Sequence, residues 1–191
     1  MLTIPTPKSL LAWMNERYPP WLIVVHSLVY AATIVVSLRA ASQPTAFDLT
    51  RDLIGALVLF SFPLLLRILD EHKDYETDCE HHPQRVLQRG DITLSDLRSI
   101  ALLCVLLQCL FSVWVDGGIG QVTLLWGASI IYAALMTAEF FAAEWLSDKM
   151  LMYTLSHQII TPISTLWIGS IAISAVPSSG FIPFVLLATF T

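Results

Sequence analysis

The chain has 191 residues, 55% of them hydrophobic and 13% charged, with a mean hydropathy of +0.69. That composition excludes a disordered chain and argues against a water-soluble globular domain, whose surface needs far more charge. The net charge of −5 is local: residues 70–80 hold six acids (Asp70, Glu71, Asp74, Glu76, Asp78, Glu80) and one base, Lys73, while the rest of the chain balances nine acids with nine bases. Without a basic face, no nucleic-acid partner is expected. Three cysteines make no disulfide framework. Cys104 and Cys109 lie in an apolar run, and Cys79 reads as a reduced cytoplasmic thiol.

Residues 1–20 lack the continuous apolar core of a cleavable leader and read as an interfacial segment, with Leu10, Leu11, Trp13 and Met14 on the apolar side of 9–17. After Pro19 and Pro20 a first span is predicted over 21–38, closed by Arg39 and followed by a polar loop over 40–52. The second span, 53–66, contains Gly55 and Pro63, which membrane helices tolerate when neighbours satisfy the freed backbone groups. Its apolar run is short, so the helix is expected to continue through Arg67 into the acidic stretch. Thr93 or Ser95 is the expected cap of the helix that becomes the third span, 100–115. The sequence DGGIG, 116–120, predicts a tight turn before a fourth span over 122–138. A fifth span is expected over 150–173 with Pro162 inside it, and VPSSG then turns the chain. Residues 181–191 begin a sixth apolar run, too short to cross a bilayer by itself. The expected fold is therefore all-α: a multi-span transmembrane bundle with five full spans and an incomplete sixth, forming one integral membrane domain over 1–191.

Basic residues set the orientation. Placing the N-terminus and the second loop in the cytoplasm puts eight of the ten Lys and Arg residues inside and leaves Arg39 and Arg51 outside. The acidic loop, 67–92, is then cytoplasmic.

Asp70, Asp74 and Asp78 fall at i, i+4 and i+8, and Glu71 precedes the last two by three and seven positions. On one helix all four share a face, with Arg67 a turn earlier. Stacking like charges costs on the order of a few tenths of a kcal/mol per pair even on an isolated helix, so a cation is expected there. Mg²⁺ suits oxygen ligands and takes one or two protein carboxylates, with water and substrate phosphates completing its shell. Downstream, Arg85 and Arg89 in HHPQRVLQRG offer guanidinium forks that match phosphate oxygens. The plainer alternatives are a solvated acidic loop and arginines that anchor to lipid headgroups.

The stretch RILDEHKDYETDCEHHPQRVLQRGDIT resembles the first aspartate-rich motif of the UbiA superfamily of intramembrane prenyltransferases. The family pattern is N-D-x-x-D-x-x-x-D, followed by a P-x-R-P-like segment and a glycine ahead of the next helix. Asp70 stands at the Asn position, and Glu71, Asp74 and Asp78 stand at the three Asp positions. Pro83, Arg85 and Gly90 fall in the downstream segment, with Val86 in place of its second Pro. The stretch from Glu139 to Pro162 is similar to a less-characterised branch of the same family.

The resemblance implies a prenyltransferase that moves an isoprenyl group from a prenyl diphosphate to an aromatic or other small-molecule acceptor within the membrane lipid. It implies Mg²⁺ on Asp70, Glu71, Asp74 and Asp78, and a diphosphate held by Arg67, Lys73, Arg85 and Arg89. The family carries a second aspartate-rich motif after its sixth helix. Beyond Asp96 the acids here are Asp116, Glu139, Glu144 and Asp148, and none repeats that motif. The expectation is an N-terminal part of a larger bundle, inactive as it stands.

Other residues are read more plainly. His26 with Tyr30, and His157 with Gln158, are expected to make interhelical hydrogen bonds. Trp126, Tyr132, Trp145 and Tyr153 are read as interfacial aromatics rather than carbocation shields. Cys79, His81 and His82 lack a second ligand pair for zinc. A phospholipid-synthesising alcohol phosphotransferase would need D-G and A-R within its aspartate run, and neither occurs between Asp70 and Arg89. The non-enzyme alternative is a membrane scaffold or degenerate family member that binds cation or lipid without turnover.

Overall fold

The structure, a computed structural model, describes residues 3–40 and 48–173. The expected sixth apolar run and most of the first loop lie outside the described residues. Those described are helical, with no strand among them: α1 (Pro7–Arg17), α2 (Leu22–Ala40), α3 (Leu49–Lys73), α4 (Tyr75–His81), α5 (Leu94–Asp116), α6 (Gln121–Thr137), α7 (Ala143–Ser147), α8 (Met150–Gln158) and α9 (Ile160–Ser170). Among the described residues, α2, α3 and α5 are long and apolar enough to cross a membrane. The fourth expected span appears as α6, a shorter apolar helix of 17 residues.

Helix ends follow local chemistry. Thr6 caps α1, its Oγ1 accepting the Ser9 N–H at 3.1 Å. Asp48 does the same for α3, accepting the Arg51 N–H at 2.8 Å, so this helix starts four residues before the expected span. Of the two expected caps for α5, Thr93 is the one used. Its Oγ1 accepts the Asp96 N–H at 3.1 Å while Asp96 accepts the Thr93 N–H at 3.0 Å, a reciprocal capping box. At the other end of α5, Gly117 takes φ +66°, and the N–H groups of Gly118 and Gly117 return to the carbonyls of Val113 and Trp114. This is a Schellman stop, and a glycine suits it because the left-handed region costs it nothing.

The fifth expected span, 150–173, is divided into α8 and α9 at Ile159. Pro162 is the physical reason. It has no N–H for the Gln158 carbonyl, and its ring clashes with a carbonyl four residues back. It sits instead in the first turn of α9, where a missing N–H is harmless. Before α7, the turn Glu139–Phe141 places three successive non-glycine residues at positive φ (47°, 53° and 57°). Such conformers cost roughly 1–2 kcal/mol each and persist only when packing enforces them. Here the Phe140 ring lies edge-on to both Tyr132 and His157, and the Tyr132 hydroxyl donates to the Ser156 carbonyl at 2.6 Å.

The chain divides into two compact units, Met1–Ser27 with Ala56–Gln108, and Leu28–Gly55 with Cys109–Thr191. Helices α2, α3 and α5 each contribute residues to both. In the first unit, Trp13, Phe62, Ile68, Ile92 and Leu97 are buried, and the amide of buried Gln108 on α5 donates to Ser61 Oγ on α3 at 2.9 Å. In the second, Tyr30, Ile34, Ala133 and Trp167 are buried, α6 packs on α9, and the Trp167 indole donates to Ser112 Oγ on α5 at 3.1 Å. Polar pairs of this kind tie apolar helices together where the hydrophobic effect discriminates little. On α5, Leu102, Leu106, Leu110 and Trp114 recur every four residues as an exposed apolar stripe, as a lipid-facing surface would.

Also in the second unit, the Tyr30 hydroxyl donates to Asp52 Oδ1 at 3.1 Å, so this tyrosine makes the interhelical bond expected of it. Its ring fills the space beside Gly55, where an added Cβ would lie 2.3 Å from the hydroxyl oxygen. Gly55→Ala is therefore expected to cost about 1–3 kcal/mol through overpacking. Gly127→Ala, with nothing within 4 Å of the new methyl, is expected to be neutral. Thermal unfolding of the two variants in the same detergent checks the difference.

Candidate functional site

The candidate site lies in the first unit, where the end of α3, α4 and the following loop meet α1. Helix α3 does continue beyond its apolar run, through Arg67, Asp70 and Glu71 to Lys73. The expected single carboxylate face is interrupted at Asp74. This residue sits between α3 and α4 with φ −94° and ψ 6°, exposed and making no side-chain capping bond. The break separates Asp70 and Glu71 on α3 from Asp78 on α4.

The carboxylates differ sharply in surroundings. Glu71 is buried, its side chain 1% exposed, whereas Asp70 is 48% exposed. Glu71 Oε1 accepts from Arg67 Nη2 at 2.8 Å and from Arg17 Nε at 2.5 Å. Asp78 Oδ2 accepts from Arg85 Nη1 at 2.6 Å and lies 3.8 Å from Arg17 Nη2. Asp70 is 3.9 Å from Arg67. Among the described residues no group of three or more His, Cys, Asp or Glu side chains is placed to hold a metal ion. What the fold brings together is Glu71 and Asp78, through guanidiniums.

Of the four expected diphosphate contacts, Arg67 and Arg85 join this network. Arg89 faces elsewhere: it is half exposed and donates to Asp91 Oδ2 and to the Gln84 carbonyl, and the Asp91 carboxylate raises its pKa. Lys73 is the last residue of α3.

The expectation from residue types omitted α1. Arg17 is the residue that reaches both Glu71 and Asp78, and the neighbouring Glu16 accepts the Val86 N–H through Oε2 at 3.0 Å. A signal for Arg17 exists in the sequence. Leu10, Trp13, Met14 and Arg17 fall at helical spacing on one face, so this arginine shares the side that Trp13 buries completely. Leu11, expected on that side, is exposed on the other. Helix α1 thus docks on protein through the Trp13 face. His72 adds a second tie, its Nδ1 lying 2.9 Å from the Ile68 carbonyl and its Nε2 3.2 Å from the Leu94 carbonyl at the start of α5.

One more property marks the site. Glu71 Oε2 is buried without a hydrogen-bond partner, as are Trp13 Nε1 on α1 and both amide atoms of Gln88 in the motif loop. Buried polar atoms are nearly always paired, so the open Oε2 of Glu71 is the exception within the carboxylate–arginine network.

No family model, curated protein or solved structure matches the chain. What fold and site define is a class: an all-helical protein with three helices long and apolar enough to cross a membrane, and a carboxylate–arginine network where one of them ends.

Proposed function

We propose that the chain is a UbiA-like intramembrane prenyltransferase, or a part of one, whose α3–α4 segment binds the Mg²⁺-diphosphate of an isoprenyl donor. The observation that carries the proposal is the buried Glu71 carboxylate, gripped on one oxygen by two arginines and unpartnered on the other. Mg²⁺ fits this donor set, because it needs only one or two protein carboxylates when substrate phosphates and water supply the rest. Glu71 would hold it, with Asp70, Asp74 and Asp78 as further protein oxygens. When bound, the ion neutralises charge that develops on the departing diphosphate. Arg67 and Arg85 contribute fixed positive charge at the same place, preorganised by their carboxylate partners.

The test is Mg²⁺-dependent chemistry in nanodiscs. Farnesyl or geranylgeranyl diphosphate is supplied with a panel of aromatic acceptors, and prenylated product and released pyrophosphate are measured. Product that disappears with EDTA supports a transferase. Retention of the diphosphate without product supports the non-catalytic binder, a reading favoured by the lack of a three-acid cluster among the described residues. No retention removes both.

The orientation belongs to the same proposal. With the acidic loop cytoplasmic, Cys79 on the half-exposed side of α4 is expected to react with a membrane-impermeant thiol reagent in inside-out vesicles. Labelling in intact cells would reverse the topology.

A further inference from the structure

In the second unit, the segment from Glu139 to Ile159 leaves much of its apolar surface uncovered. Phe141 is 85% exposed and Met150 84%, and Trp145, Leu151, Met152, Leu155 and Ile159 are exposed in the same stretch. Clustered exposure of this kind marks an interaction surface, whereas single exposed apolar residues do not. Within the segment lies a groove of about 360 Å³ lined by Phe140, Trp145, Leu146, Met152 and Leu155. The turn Glu139–Phe141, with its three positive φ values, holds Phe140 in the groove wall and leaves Phe141 outside it. Ser156 also lines the groove, but its hydroxyl already donates to the Tyr153 carbonyl at 2.8 Å, and its own carbonyl accepts from Tyr132. The groove therefore offers little to the N–H and C=O groups of a docked peptide, which burial would leave unpaired. A hydrocarbon chain brings no such groups.

The rim of the groove is charged. Lys149 Nζ stands 4.3 Å from the centre of the Trp145 ring, and among the described residues no ion pair holds it. An amphipathic ring beside a long lysine is the pairing found at the headgroup level of a bilayer. The other charged residues of 139–159 are Glu139, Glu144 and Asp148, the last two exposed, and His157 stacks on Tyr153. One base among three acids opposes an anionic headgroup but suits one that carries both signs. Bilayer lipid is also within reach of this surface. The turn packs on α6, which exposes Leu124 and Ile131, so apolar surface runs from that helix into the segment.

We propose that the groove holds one acyl chain of a zwitterionic phospholipid, with the lipid phosphate against Lys149 and its ammonium toward Asp148. The groove belongs wholly to the second unit, and its occupant does not depend on the reaction proposed for the α3–α4 segment.

The experiment uses the full chain in detergent micelles, titrated with phosphatidylethanolamine brominated on its acyl chains, and follows the quenching of tryptophan fluorescence. The difference from Trp145→Phe isolates the Trp145 signal. Saturation of that signal at one lipid per chain is the expected result. Lys149→Gln is expected to weaken it about threefold, the size of one partly exposed ion pair, and Lys149→Arg to retain it. Brominated phosphatidylglycerol, which has no ammonium, should bind more weakly than phosphatidylethanolamine. Ala142→Phe, which places a ring in the groove, should abolish saturation while leaving the helical content unchanged. Quenching that rises linearly with lipid in the wild type, as simple partitioning gives, overturns the inference. Phosphatidylglycerol bound as tightly, or lipid displaced by geranylgeranyl diphosphate, assigns the groove to another occupant and overturns it as well. So does a dimer that Ala142→Phe dissolves, which would make a second copy of the chain the occupant.

Discussion

Glu71→Ala is expected to lower stability by about 2–4 kcal/mol, because it strips two arginines of their shared carboxylate. Breaking a buried pair in this way costs more than the pair itself contributes, since the charges left behind remain poorly solvated. The effect is set below the fully buried limit by the exposure of the Arg17 and Arg67 side chains, 17% and 27%. Asp74→Ala provides the contrast. Its carboxylate is exposed and makes no capping bond, so the melting temperature should hardly move. Under the proposed function it should nevertheless weaken Mg²⁺-dependent retention of geranylgeranyl diphosphate by at least about tenfold, through a lost oxygen ligand. Thermal unfolding and diphosphate retention, measured on both variants in nanodiscs, separate structure from binding. An unshifted melting curve for Glu71→Ala would show that the network does not hold the fold, and wild-type retention by Asp74→Ala would take Asp74 out of the site.

A loss of similar size is expected at the other end of α5. The Asp116 carboxylate accepts the N–H groups of Gly120, Val122 and Thr123 at 3.1, 3.2 and 2.7 Å, and the Thr123 hydroxyl at 2.7 Å. Three of the donors that the first turn of α6 leaves without intrahelical partners are thereby satisfied by one charged side chain. The close approach also explains Gly120, where a Cβ would lie 2.8 Å from the carboxyl carbon. Asp116→Ala should cost about 2–3 kcal/mol, because charge-assisted bonds are lost together and the freed N–H groups are only partly reached by water. Asp116→Asn should recover about half of this, since the amide oxygen still accepts but carries no charge. Unfolding followed by tryptophan fluorescence in detergent measures both, and an alanine variant as stable as wild type would show that the turn holds without its staple.

The one-dimensional pattern was enough for much of this molecule. Apolar runs bounded by charge marked α2, α3 and α5. The extension of α3 past Arg67 followed from the shortness of its apolar stretch, and Thr93 and DGGIG announced a start and a stop through side-chain and backbone chemistry confined to a few residues. Those signals are local, and local sequence determines them. The break at Ile159 was legible in principle, because Pro162 cannot serve the interior of a helix, yet its apolar neighbours masked it as one continuous span.

At the site the division is sharper. Residue types and spacing singled out Asp70, Glu71, Asp74 and Asp78 as a set, whereas packing made them unequal, burying Glu71, leaving Asp70 and Asp74 to solvent and pairing Asp78 with Arg85. Arg67, one turn earlier on α3, was in reach of Glu71 by spacing, but the second cation, Arg17, was decided by tertiary structure alone. Arg17 lies 54 residues away along the chain and reaches Glu71 only because the Trp13 face of α1 docks beside the end of α3. Charge and periodicity along a chain determine what each segment can neutralise, but the strength of an ion pair depends on distance and burial, which exist only once the segments have packed.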